Sequence, residues 1–124
     1  MIKTLCWVAA GGALGAVARF LASAGIYQWL GTFFPWGTLT VNVLGSFAIG
    51  VLIAHLSDLA WFHSIARPFL VVGFLGAFTT FSAFSLDTVE MIEDGRMLLA
   101  LSYALSSVVL CCAAALFGGW ILGR

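Results

Sequence analysis

Four apolar stretches, at about residues 5–30, 36–56, 68–89 and 97–122, leave this chain few options. Each is long enough to cross bilayer hydrocarbon, which takes roughly 20 residues of helix. A segment in hydrocarbon has no water to satisfy its backbone, so each stretch is read as a helix that closes its own hydrogen bonds. Composition agrees: 63% of the 124 residues are hydrophobic and 8% are charged, against about a quarter charged in soluble domains. Mean hydropathy is +1.14. The expectation is an all-α membrane protein, a single domain over residues 1–124 with four transmembrane helices, short connections and the lipid bilayer as its solvent.

The third stretch contains a segment that a plain membrane helix does not need. Gly73–Ser85 (GFLGAFTTFSAFS) holds two glycines, two threonines, two serines and four phenylalanines. Glycine weakens a helical backbone, and hydroxyls offer hydrogen bonds where water is scarce. Non-helical backbone at membrane depth survives only when buried in protein or lining a wet cavity. The third helix is therefore expected to break near the membrane centre, with the break forming part of a permeation site.

The first helix carries Gly11-x-x-x-Gly15 and Gly12-x-x-x-Ala16, spacings that let another helix approach closely. Arg19 sits well inside it and should face protein or water rather than lipid. The apolar run around Lys3 has features of a secretory signal, but apolar sequence resumes after Arg19, so a retained span is expected. Trp29, Phe33, Phe34 and Trp36 form an aromatic belt around a short turn. On the second helix Thr38, Asn42 and Ser46 recur at i, i+4, and Gly50 extends this polar stripe. Pro68 suits the first position of the third helix, and Asp94-Gly95 makes the last turn. On the fourth helix Tyr103 and Ser107 share a face, and Ala114-x-x-x-Gly118 and Ala115-x-x-x-Gly119 again permit close packing. Cys6, Cys111 and Cys112 are read as small packing residues, and His55 and His63 as interfacial or loop residues.

Little acid–base chemistry is on offer. Net charge is zero and no basic run exists, which argues against nucleic acid. Apart from Arg19, the membrane core holds neutral hydrogen-bond donors, which can replace part of the hydration shell of a small anion without trapping it. Phe81 and Phe84, at i, i+3, share a face. Aromatic ring edges are the positive part of the quadrupole and favour an anion, while carbonyls freed at a helix break can hold a small cation. Lys3, Arg67 and Arg124 fall on one side and Arg96 on the other, a weak bias that permits insertion both ways round and an antiparallel dimer.

Four blocks resemble the fluoride channel family, Fluc or CrcB: Gly11–Ala16 leading to Arg19-Phe20; Trp36–Asn42 with Gly45 and Gly50; Gly73–Ser85; and the acidic run before Asp94-Gly95. The resemblance spans essentially the whole chain. It implies an antiparallel dual-topology homodimer in the bacterial inner (plasma) membrane, with two pores passively exporting fluoride from the cytoplasm. It implies that Phe81 and Phe84 are pore phenylalanines faced by Asn42, with Tyr103 and Ser107 as further pore-side polar groups; the polar stripe itself adds Thr38 and Ser46 to the expected pore lining. It implies that the carbonyls of Gly76 and Thr79 hold a structural sodium ion at the dimer interface, and that Arg19 stands near a vestibule. Ala83 and Asp87 depart from the threonine and glutamate common in such motifs.

The runner-up is a small multidrug-resistance-type transporter, also four-span and dual-topology, which should carry a glutamate where this first helix has Arg19. An assembly subunit would leave the polar stripe and the phenylalanine pair without purpose. A membrane enzyme would lack its acid–base pair.

Overall fold

The computed structural model describes residues 1–122, so Arg124, one of the charges counted above, lies outside the described residues. The first helix runs Ile2–Leu30 and the second Trp36–Leu56. The third span begins with Phe62–Leu75, continues through the turn Gly76–Phe78, and resumes as Phe81–Glu93. The fourth helix is Met97–Leu122. The four spans are long and apolar enough to cross a membrane, and only 11–17% of the most apolar window of each is buried in protein. Large apolar side chains such as Phe20, Leu98 and Leu116 point outward. That arrangement is stable only if the surrounding solvent is itself apolar.

The third span starts at Phe62 rather than at Pro68, which lies buried inside it. Proline lacks an N–H, and its ring presses on the preceding turn. The segment Phe62–Leu75 accommodates it by winding with wide i→i+5 turns, and its end shows the same pattern, Gly76 N–H reaching the Val71 carbonyl. The connection before it is correspondingly short and is tied by His63 Nε2 to the Ser57 carbonyl at 2.7 Å.

Two close helix contacts organise the bundle. The first helix lies against Phe62–Leu75, and the second against the fourth. At the first contact, a Cβ on Gly11 would collide with the Phe69 carbonyl oxygen, and one on Gly15 with the Phe74 carbonyl. At the second, a Cβ on Gly50 would meet the Ala115 carbonyl and one on Gly118 the Phe47 carbonyl. Small residues thus bring backbone against backbone in the absence of a hydrophobic driving force between helices.

The most enclosed core lies where the start of the second helix, the arm Phe81–Glu93 and the start of the fourth helix meet. Leu39, Met91, Ala100 and Tyr103 are buried there, with Phe34, Val43, Phe84 and Leu99 packed around them. The turn Asp94–Arg96 closes this end: Arg96 pairs with Asp94 at 2.9 Å and donates to the Phe33 carbonyl at 2.9 Å. Its guanidinium also lies over the Phe33 ring, 5.4 Å from the centroid.

Candidate functional site

Thr79 (φ −82°, ψ 156°) and Thr80 (φ −152°, ψ 118°) are extended, so the third span leaves the helical conformation for two residues. Such a step strands backbone groups that cannot be left unpaired in a dry setting. Asn42, on the second helix, takes up the central pair. Its Oδ1 accepts the Thr80 N–H at 2.7 Å, and its Nδ2 donates to the Thr80 carbonyl at 3.0 Å. One side-chain amide therefore does for Thr80 what a neighbouring strand would do. The pairing also assigns the amide orientation, since only one of the two flips matches donor to acceptor on both sides.

The adjoining residues are held locally. Thr80 Oγ1 accepts the Ala83 N–H at 3.1 Å and so caps the helix Phe81–Glu93. Thr79 donates both its N–H (2.9 Å) and its hydroxyl (2.8 Å) to the Leu75 carbonyl, closing the preceding helix. Gly45 faces Thr79, and a Cβ there would strike the threonine methyl. In a continuous α-helix, the Gly76 and Thr79 carbonyls would accept from the N–H groups of Thr80 and Ala83. Those two donors are given to Asn42 and to the Thr80 hydroxyl instead, so both carbonyls are released from their helical partners.

Two clefts flank this point. One, of about 430 Å³, lies between the second, third and fourth spans. It brings together Asn42, Ser46, Gly76, Thr79, Phe81, Phe84 and Ser107. The other, of about 630 Å³, lies between the first, second and third spans and brings Arg19 and Thr38 together with Ser82. Thr80 lines both. Thr38 is buried, with its hydroxyl 3.4 Å from that of Tyr27, so the Thr38–Asn42–Ser46 stripe is divided between the clefts.

Phe81 and Phe84 lie 5.2 Å apart between ring centroids, Phe81 being 78% exposed. Tyr103 does not line the cleft with them. It is fully buried behind Phe84, with ring centroids 5.2 Å apart, and donates its hydroxyl to Asp87 Oδ2 at 3.1 Å. Ser107, one turn further along the fourth helix, is buried at the cleft wall, and its Oγ has no hydrogen-bond partner.

Sequence reasoning did not anticipate Thr80 as the hub, or Tyr27 and Asp87 as partners of Thr38 and Tyr103. Thr80, three residues before Ala83 at the head of a helical run, carried a legible capping signal. The other two pairings cross between spans and have no local signal.

Four apolar spans around an uncharged, hydroxyl-bearing cleft make this a multi-pass membrane protein. It belongs to the CrcB-like family: the family model described as "CrcB-like protein, Camphor Resistance (CrcB)" matches residues 6–119. The chain is 50% identical over 120 residues to a protein of Magnetococcus marinus, covering 97% of each. It is 54% identical over 112 residues to one of Nitrobacter winogradskyi (90% of this chain, 88% of the relative). It is 50% identical over 124 residues to one of Rhodospirillum centenum (99% and 97%). Each of these relatives is named a fluoride-specific ion channel FluC. The family is one of ion channels, and the chain is not an enzyme.

Proposed function

We propose that the protein is a fluoride-selective channel that lets fluoride leave the cytoplasm passively across the bacterial inner membrane. The observation that carries the chemistry is the Asn42–Thr80 clamp. By holding two residues extended, it puts Phe81 and Phe84 at the head of a new helix beside Ser46 and Ser107 in one neutral cleft. The N-terminus of that helix has a partial positive charge and free N–H groups, which suit an anion. Neutral donors and ring edges attract fluoride without the deep trap a fixed cation would make. No pump is needed, because a negative interior drives anions outward.

In this reading two chains pair antiparallel and carry two ion paths, each lined by Phe81, Phe84, Asn42, Ser46 and Ser107. Thr38 serves the adjoining cleft, where Arg19 stands at a vestibule, and Tyr103 supports Phe84 from behind. Gly76 and Thr79 supply carbonyls to a sodium ion at the contact between chains. The fit is supported by the release of both carbonyls from their helical donors, at a helix C-terminus whose partial negative charge favours a cation. Gly76 is also exposed on this chain, as a site shared with a second copy requires.

Reconstitution tests the reading. Liposomes loaded with potassium fluoride and given valinomycin should release fluoride once protein is present, with no pH gradient imposed. Chloride should be retained. Absent fluoride efflux, or efflux that follows a proton gradient, refutes it.

A further inference from the structure

The step at Thr79 and Thr80 is gripped from one face of the second helix. Asn42 pairs with Thr80 at 2.7 and 3.0 Å, and Gly45, three residues further on, shares that face. Gly45 is buried, and the Thr79 methyl occupies the place its side chain would take: an added Cβ would collide with Thr79 Cγ2. The next atoms stand at ordinary contact distance, Phe78 Cδ1 at 3.4 Å and Thr79 Cβ at 3.7 Å. The obstruction is therefore a single methyl group. At Gly11, Gly15, Gly50 and Gly118 it is backbone.

The methyl cannot turn aside freely. Threonine is β-branched and stiff at χ1, and the hydroxyl on the same Cβ donates to the Leu75 carbonyl at 2.8 Å. Rotating the methyl off Gly45 takes the hydroxyl off Leu75. A side chain at position 45 must therefore break that hydrogen bond or push Thr79 away from the second helix, which strains the adjoining Asn42–Thr80 pair.

We propose that Gly45 is a positioning residue for the permeation site. Its empty side-chain position seats the Thr79 methyl, and seat and Asn42 amide together fix where the Thr79 carbonyl and the Phe81 ring leave the step. That these groups serve an ion rests on the proposed function; the seat itself does not.

Gly45→Ala, Thr79→Ser and the double variant form a test cycle. Thr79→Ser keeps the hydroxyl for Leu75 and deletes only the methyl that an alanine at position 45 would strike. In detergent, Gly45→Ala should speed amide exchange at Thr79 and Thr80 by at least about fivefold, the low end of what an extra methyl costs in packed surroundings. In the Thr79→Ser background the same substitution should change exchange by less than about twofold. In liposomes, Gly45→Ala should lower fluoride efflux by at least about fivefold, while the double variant should match Thr79→Ser alone. A methyl that merely narrowed the cleft would lower efflux equally in both backgrounds, and that result overturns the positioning role. Wild-type exchange at Thr79 and Thr80 in Gly45→Ala overturns it too. If Gly45→Ala aggregates, the double variant should still give a single peak in size-exclusion chromatography; an aggregated double variant refutes the seat. The exchange cycle involves no ion, so it decides the role of Gly45 even if the liposomes pass no fluoride, a result that would overturn the channel reading instead.

Discussion

Replacing Asn42 by alanine separates a clamp from a pore donor. The substitution leaves the Thr80 N–H and carbonyl without the partners they have at 2.7 and 3.0 Å. Stranding one buried polar group costs about 1–3 kcal/mol, so two would cost about 2–6 kcal/mol if the site stayed dry. Thr80 borders both clefts, however, and water can reach it once the amide is gone. The low end, about 2 kcal/mol, is therefore expected, equivalent to about a 30-fold rise in the population of locally opened molecules. Amide hydrogen exchange resolved around Thr79–Ala83 measures this directly. In Asn42→Ala the Thr80 and Ala83 amides should exchange about 30-fold faster, while amides in the middle of the fourth helix stay as protected as before. Asn42→Asp should not rescue the variant, because a carboxylate keeps the acceptor for Thr80 N–H but turns a second acceptor toward the Thr80 carbonyl. Unchanged protection at Thr80, with fluoride flux lost, would show that Asn42 contacts the ion without holding the backbone.

Three further outcomes follow from the same geometry. Phe81→Ile should abolish fluoride flux with less than about 0.5 kcal/mol change in stability, because the Phe81 ring is 78% exposed in this chain; unimpaired flux in liposomes returns it to a packing role. Ser107→Ala should leave thermal stability in detergent unchanged or slightly raised, since its Oγ has no partner to lose, and lower fluoride flux; a destabilised variant would reveal a hydrogen bond that this structure lacks. Gly11→Val should cost at least about 1–3 kcal/mol, because its Cβ would strike the Phe69 carbonyl of a backbone that cannot step aside, and size-exclusion chromatography should show aggregated protein in place of a single peak.

The number of the spans was legible because transfer into lipid is close to additive along a chain. Counting apolar residues from Trp36 to Leu56 requires no knowledge of what that helix touches. The close-packing glycines were legible for a related reason: a missing side chain at Gly11 or Gly118 is a local property, although its partner is not. The start of the third span was misjudged because proline's preference for a first turn is local, whereas its tolerance within Phe62–Leu75 depends on a widened winding.

The site divides along the same line. By itself, the sequence marked Gly73–Ser85 as unlike an ordinary membrane helix, lined up Thr38, Asn42 and Ser46, and identified the family. Tertiary structure decided that Thr79 and Thr80 are the residues that leave the helix, because the amide that receives Thr80 lies 38 residues earlier on another span. It also put Tyr103 behind Phe84 rather than beside it and sent Thr38 to the second cleft. The physical reason is the same in each case. Helical periodicity says which residues share a face, and only the rotation and depth of neighbouring helices say what that face meets.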